Sequence, residues 1–103
     1  MIQYSVEFTR AAREDYINLC SYEISHPAIS IEKIQIAITS LEVMPERHPF
    51  FEEEKFTVEK EIRVMREDNI LIFYYINKEE KIVSIIRMMY IQDVAVTQQL
   101  VTQ

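Results

Sequence analysis

A chain of 103 residues with 49% hydrophobic and 27% charged residues has the length and composition of one compact domain rather than of a disordered segment. Its formal net charge of -6 weighs against general nucleic-acid binding, which depends on Lys and Arg side chains that neutralise phosphates. Because the chain contains no glycine, Gly-rich nucleotide-binding loops are excluded, and we expect no cofactor.

The same features bound the cellular location and the number of domains. Cys20 is the only cysteine, so no internal disulfide can form. The first residues lack the basic start and the apolar stretch of a secretory signal peptide. The longest apolar run, residues 70–76, is far shorter than the roughly 20 residues that a membrane-spanning helix needs. We expect one cytoplasmic domain over residues 1–103, with no membrane partner.

The chain opens with a strict alternation of apolar and polar residues, which is typical of a half-buried strand. The apolar side chains of this strand are Ile2, Tyr4, Val6 and Phe8. Thr9 then offers an N-cap side chain to a helix. Apolar residues recur along this helix at steps of three and four, namely Ala12, Tyr16, Leu19, Cys20 and Ile24. Residues 25–27, which read Ser-His-Pro, are predicted to end it.

A second helix is predicted from about residue 27 or 30 to Met44, where Pro45 stops it. Its apolar face consists of Ile31, Ile34, Ile38 and Leu41. The connection between the two helices is short, so we expect them to pack as an antiparallel hairpin with both apolar faces turned toward a sheet.

The second half of the chain is rich in β-forming residues. Three such runs, at 61–66, 70–77 and 81–90, are separated by short polar breaks that predict hairpins. The middle run is apolar from its first residue to Ile76, which indicates a central strand covered on both faces. These patterns predict an α+β fold in which an N-terminal strand and a helical hairpin precede a three-stranded antiparallel meander that completes a twisted sheet.

Two segments carry weaker patterns. Residues 46–60 have no clear period and include the acidic run Glu52 to Glu54, so we predict an exposed connection with a short strand around residues 56–58. The tail, residues 91–103, is expected to form a short helix or to stay mobile.

Particular residues, beyond the order of elements, resemble the RelE/ParE toxin superfamily over roughly residues 2 to 93. The run from Tyr4 to Thr9 followed by Ala12, Asp15 and Tyr22 is similar to the opening of these toxins. The other resembling positions are Leu41, Pro45, Arg47, His48, Pro49, Ile62, Arg63, residues 69–76, residues 83–90 and Asp93. The resemblance implies the toxin of a bacterial toxin–antitoxin pair, with a cognate antitoxin as its partner.

The resemblance leaves two kinds of toxin open, because some members cut messenger RNA on the ribosome and the ParE type inhibits DNA gyrase. In cutting members an Arg usually precedes the apolar part of the third strand, where it steadies charge on a phosphate. The matching residue here is Leu71. Cutting members often have His or another acid–base group near the end of the last strand, and Met89 matches that position. These departures and the acidic charge favour a ParE-like binding toxin, with gyrase as the expected target.

A reduced catalytic set remains as the alternative, and it consists of Arg63, Arg87 and Tyr90. Arg87 has an equally good structural interpretation as a strand Arg paired with Asp93 or Glu61. Arg63 is interpreted more readily as a surface charge, and Tyr90 belongs to a residue type that is favoured in strands. A third alternative is a non-toxic interaction domain that retains only antitoxin binding. His48 lacks spaced partner ligands and Cys20 lacks nearby activating groups, so we predict neither a metal site nor a nucleophile.

Overall fold

The computed structural model describes residues 3–25, 30–51 and 61–91, and for residues 22–25 it describes the backbone only. Its elements in chain order are β1 (Ser5–Phe8), α1 (Arg10–Ser25), α2 (Ile31–Ser40), a 3₁₀ helix (Pro45–Arg47), β2 (Ile62–Glu67), β3 (Ile70–Asn77) and β4 (Ile82–Tyr90). The predicted strand at residues 56–58 and the tail beyond residue 91 lie outside the described residues. No helix among the described residues is long and apolar enough to cross a membrane.

The N-terminal strand and first helix form where the sequence predicts them. Tyr4 is buried and Val6 and Phe8 are half-buried, whereas Ser5 and Glu7 between them are exposed. The Thr9 hydroxyl accepts a hydrogen bond from the backbone N–H of Ala12 at 3.2 Å, which confirms the predicted N-cap of α1.

The second helix begins as predicted and ends early. The Ser30 hydroxyl caps its start by accepting a hydrogen bond from the Lys33 N–H. The helix ends at Ser40, so the predicted end at Met44 is wrong by four residues. The reason is tertiary: the Glu42 carbonyl accepts a hydrogen bond from the Tyr4 N–H at 2.8 Å, and Val43 pairs with Gln3, which draws the chain out of the helix before Pro45 is reached.

The sheet has the order β1-β4-β3-β2. β2, β3 and β4 form the predicted antiparallel meander, and β1 pairs in parallel with β4. Left-handed backbone conformations, which favour glycine, occur at Met44, Asp68 and Lys81, with φ of 49°, 51° and 57°. The chain contains no glycine, so other residue types occupy these positions. Asp68 and Lys81 stand in the two hairpin turns of the meander.

The two helices cover one face of the sheet, which we call the helix face, while the opposite face is called the outer face. Buried residues of the helix face on the meander include Met65, Ile70, Ile72, Tyr74, Val83, Ile85 and Met88, and the helices bury Ala12, Leu19, Ile34, Ala37 and Ile38 against them. On the outer face of β3, Phe73 is buried against Phe51, whereas Leu71 and Tyr75 are only half-buried. The predicted cover of β3 is therefore complete for Ile70, Ile72 and Tyr74 on the helix face and only partial on the outer face.

A β-bulge changes the alternation of β4. Phe73 lies opposite Arg87 and Tyr74 lies opposite Ile85, so Ile86 is an extra residue in β4. The bulge lets both Ile85 and Met88 be buried although they are three positions apart. It also stands where β4 leaves its partner β1, which is the part of the molecule that carries the candidate site.

Candidate functional site

At the bulge, the partner of the free edge of β4 changes from β1 to side chains at the start of α1. β1 pairs with β4 only as far as Ile85. Beyond it, the Thr9 hydroxyl donates to the Ile86 carbonyl at 3.0 Å, and the Asp15 carboxylate accepts a hydrogen bond from the Met88 N–H at 2.9 Å. Side chains at the start of α1 thus satisfy strand groups that would otherwise lack partners. The first helix is thereby fixed against the strand that carries Arg87 and Tyr90.

Arg87 is held by the same carboxylate. Its Nε lies 2.7 Å from Asp15 Oδ2 and its Nη2 lies 3.2 Å from Oδ1, so the ion pair is bidentate. The Asp15 side chain is 14% exposed and that of Arg87 is 46% exposed. The hydrogen bond from Arg87 to Asp15 and the nearby negative charges raise the pKa of Arg87 above its ordinary value. The acidic partner is Asp15, so the predicted pairing of Arg87 with Glu61 is wrong, and Asp93 lies outside the described residues.

Arg63 is held by the connection that follows α2. Its Nη1 donates to the Glu46 carbonyl at 2.9 Å and to the His48 carbonyl at 2.7 Å. The guanidinium carbon lies 4.0 Å from the centre of the Phe50 ring. The structure therefore gives Arg63 contacts that fasten residues 46–50 to the sheet.

The three candidate catalytic residues are spread over the sheet. Arg63 lies opposite Tyr74 on β3, whereas Tyr90 lies opposite Ile70, four positions away along the same strand. That separation is about 13 Å along the strand and about 10 Å across two strands. Tyr90 packs against the buried cluster of the helix face, while Arg87 reaches toward Asp15. Arg87 and Tyr90 share a strand, but Arg63 is not brought to them.

The two positions where the sequence departs from RNA-cutting toxins are brought together. Leu71 and Met89 are direct partners between β3 and β4, and Arg66 of β2 lies opposite Leu71 on its other side. Leu71 and Met89 are half-buried apolar side chains on the two central strands, and we call this pair the apolar row of the outer face. This row contains no side chain that exchanges a proton near neutral pH.

A polar cluster beneath the 3₁₀ helix was not anticipated from the sequence. Tyr4 donates its hydroxyl hydrogen to the Glu46 carboxylate at 3.0 Å, and the buried Tyr74 hydroxyl donates to the Pro45 carbonyl. Burial raises the pKa of Tyr74 to about 12 and, with the Glu46 hydrogen bond, also raises the pKa of Tyr4. These tyrosines therefore stay protonated and act as hydrogen-bond donors that position the connection.

His48 belongs to the same region. Its ring meets that of Tyr74 edge-on, with 6.2 Å between the ring centres. Burial, reinforced by the charges of Arg47 and Arg63, lowers its pKa below the ordinary value. Nε2 of His48 is buried and has no hydrogen-bond partner within the described part of the chain. Over residues 3–25, 30–51 and 61–91, no group of acidic, His or Cys side chains is arranged to hold a metal ion.

Two concave regions flank α2. A groove of about 570 Å³ between the helices is lined by Phe8, Arg13, Tyr16, Gln35, Ile38 and Thr39. Within it the Gln35 amide donates to the Tyr16 hydroxyl at 2.8 Å, and the rings of Phe8 and Tyr16 meet edge-on. A second, smaller cleft lies on the other side of α2, against β2.

Several solved structures share this fold. A toxin–antitoxin complex, RelBE2 from Mycobacterium tuberculosis, has 23% identity and a TM-score of 0.64, with 87% of this chain and 93% of that chain covered. The archaeal RelE–RelB complex from Pyrococcus horikoshii OT3 has 17% identity and a TM-score of 0.61, covering 86% and 96%. The chromosomal ParDE system from P. aeruginosa has 15% identity and a TM-score of 0.63, covering 88% and 99%. At these identities the likeness is one of fold.

Sequence comparison gives the family. Among curated protein sequences, none matches this chain. The family model of the ParE toxin of type II toxin–antitoxin systems, parDE, matches residues 6–90. Because this match runs from β1 to the end of β4, and so covers most of the chain, the protein belongs to the ParE family of toxins of type II toxin–antitoxin systems.

Proposed function

We propose that this protein is a single-domain toxin that stops growth by binding its target, that the target is DNA gyrase, and that a cognate antitoxin neutralises it. Membership of the ParE family supports the toxin role. The solved complexes of similar fold are toxin–antitoxin assemblies, which supports an antitoxin as the partner.

The observation that carries the binding mechanism is the pairing of Leu71 with Met89 on the outer face. Cleavage of RNA through its 2′-hydroxyl needs a group that moves a proton and a cation that stabilises the charge on phosphate. Leucine and methionine supply neither. Arg63 is engaged by two backbone carbonyls, and its position is distant from that of Tyr90. An apolar row of this kind is instead suited to burial against a protein surface.

Purified components test this mechanism. The protein is added to a gyrase supercoiling reaction and, in parallel, to a translation extract whose messages are mapped for new 5′ ends. We expect supercoiling to be inhibited and messages to stay intact. Leu71→Asp, which puts a charge into the apolar row, should relieve the inhibition, whereas Lys78→Asp in an exposed turn of the meander should not. Cut messages with unaffected supercoiling would overturn the proposal.

One observation favours the ribosome-dependent endoribonuclease as the second candidate. The Arg87 guanidinium is fixed by Asp15, yet the Arg87 side chain as a whole remains 46% exposed, which supports access of a phosphate to it. In this candidate Arg63, Arg87 and Tyr90 form the catalytic set. Growth arrest that disappears in the double variant Arg87→Ala, Tyr90→Phe, together with loss of message cleavage, would favour it. Equal arrest by both proteins would remove it.

The third candidate is a non-toxic domain that retains only antitoxin binding. Its support is structural, since the fold is intact while the row of Leu71 and Met89 carries no reactive group. Unimpeded growth during strong expression of the folded protein, in cells without the antitoxin gene, would favour this candidate over both toxins.

A further inference from the structure

The groove between α1 and α2 has a volume of about 570 Å³, which lies within the range of small-molecule pockets. Its walls are mixed, because Phe8 and Ile38 are apolar whereas Arg13 brings the one charge among the described lining residues. None of those lining residues carries a carboxylate. A recess with apolar walls and one cation selects for a small apolar molecule with a negatively charged end.

The Arg13 guanidinium has no acidic partner within the described residues. The two carboxylates that follow it in the sequence are already engaged, since Glu14 pairs with Arg10 at 3.6 Å and Asp15 pairs with Arg87 at 2.7 Å. The Arg13 side chain is exposed, so a ligand reaches it without any rearrangement of the core. Its charge is therefore available in the groove.

The Tyr16 hydroxyl has a hydrogen atom to donate. It accepts a hydrogen bond from the Gln35 amide at 2.8 Å, and a phenol carries one donor in addition to its lone pairs. In the part of the chain that the structure describes, no acceptor receives that hydrogen. Because Gln35 belongs to the other helix, its bond fixes the hydroxyl between α1 and α2 and leaves the donor to a ligand.

The two donors of α1 lie side by side. Arg13 and Tyr16 are three residues apart, and helix residues at this spacing are surface neighbours with Cβ atoms about 5–6 Å apart. Both side chains line the groove. A carboxylate has two acceptor oxygens, so it can receive hydrogen bonds from the guanidinium and from the phenol at the same time. One carboxylate thus satisfies both donors.

The apolar walls suit an aromatic ring. The rings of Phe8 and Tyr16 meet edge-on, with 5.8 Å between their centres and 74° between their planes. Both side chains are only half-buried, so each keeps surface that a ligand can cover. Aromatic rings bind a further ring in edge-on or offset geometry. Ile38 adds an aliphatic side chain from α2.

We propose that the groove between α1 and α2 binds a small aromatic carboxylic acid, whose carboxylate accepts hydrogen bonds from Arg13 and Tyr16 and whose ring packs against Phe8. The bound molecule contacts both helices and stabilises their hairpin. The groove lies on the helix face, and the row of Leu71 and Met89 lies on the outer face. The inference therefore does not depend on the identity of the toxin's target.

The test uses the ¹⁵N-labelled full-length protein titrated with 3-phenylpropionate. We expect saturable shifts of the Tyr16 and Gln35 amide resonances, with a Kd on the order of 1 mM, and an unfolding temperature that rises with the ligand concentration. The matched control compound is 3-phenylpropan-1-ol, which has the same ring and chain without the charge. It should bind at least about fivefold more weakly.

Three variants assign the contacts. Arg13→Gln should weaken the binding of 3-phenylpropionate at least about fivefold, because a charged donor is lost. The control, Lys33→Gln on α2, removes the same charge outside the lining of the groove and should bind normally. Tyr16→Phe keeps the ring and removes only the hydroxyl, so binding should weaken roughly threefold. All three spectra should otherwise be those of the folded protein.

Three results would overturn the proposal. The first is the absence of saturable shifts at Tyr16 and Gln35 with 3-phenylpropionate. The second is equal binding of 3-phenylpropan-1-ol, which would show that no cation of the groove receives the carboxylate. The third is an equal affinity of the Arg13→Gln and Lys33→Gln variants, which would show that the charge of Arg13 has no specific role.

Discussion

The two faces of the sheet are built from similar residues but are buried to different extents. On the helix face Ile72 and Tyr74 are fully buried beneath the helices, whereas on the outer face their strand neighbours Leu71 and Tyr75 are half-buried. The apolar character of β3 thus does not reveal which residues stabilise the fold. Position in the sheet decides that, and it leaves half-buried apolar side chains on the outer face.

The largest expected effect contrasts the two faces within one strand. Ile72→Ala should lower the free energy of unfolding by about 3 kcal/mol, because it leaves a cavity in a closed core. Leu71→Ala should cost about 1 kcal/mol or less, since its side chain already contacts solvent. Urea unfolding followed by circular dichroism measures both. Equal losses would show that the outer face is as much a core as the helix face.

The next effect concerns the carboxylate that joins α1 to β4. Asp15→Ala should cost about 2 kcal/mol, because the Met88 N–H and the Arg87 guanidinium both lose their acceptor. The neighbouring Glu14 forms only an exposed pair with Arg10 at 3.6 Å, so Glu14→Ala should change stability by less than about 0.5 kcal/mol. Thermal unfolding compares the two variants, and a similar cost for both would contradict the role of Asp15.

A smaller effect is visible in the pH dependence of stability. His48 borders the helix face, and burial lowers its pKa, so the folded protein binds a proton less readily than the unfolded chain does. The free energy of unfolding should therefore fall as the pH drops below the unfolded value of about 6.5. His48→Gln does not titrate and should show a shallower fall between pH 7.5 and pH 5.5 in urea unfolding. Identical slopes would mean that His48 protonates equally in both states.

The smallest effect is a gain in stability at a turn. Lys81 has a left-handed backbone without being glycine, and Lys81→Gly should raise the free energy of unfolding by about 0.5 kcal/mol by relieving that conformation. Lys78 stands in the same turn without a positive φ, so Lys78→Gly should instead destabilise the protein slightly. Differential scanning calorimetry of the two variants tests the contrast, and a loss at both positions would contradict it.

Most of the fold could be predicted from the sequence, because the local sequence patterns agree with the tertiary structure. The alternation around Val6, the Thr9 cap and the continuous apolar run of β3 all predict the elements that form. The end of α2 could not be predicted, because pairing of Gln3 with Val43 ends it and such a contact has no local signature. Pro45, which was predicted to stop α2, is instead the first residue of the 3₁₀ helix that follows.

The candidate site was predicted in part for the same physical reason. Strand positions such as Arg87 and Tyr90 follow from the periodicity of β4, and the cross-strand pairing of Leu71 with Met89 then depends on register. The ion pair of Arg87 with Asp15 could not be predicted from the sequence. It depends on the parallel pairing of β1 with β4, which places α1 against the edge of β4. A carboxylate one turn into a helix gives no sign of such a role.

Binding and cutting by this toxin are distinguished by expressing the protein without an antitoxin, following growth, and mapping the 5′ ends of cellular messages in the same cells. We expect arrest with no new ends inside translated messages and with altered plasmid supercoiling in the same culture. New ends within coding regions, lost in the variant Arg87→Ala, Tyr90→Phe, would contradict it and restore those residues as a catalytic set.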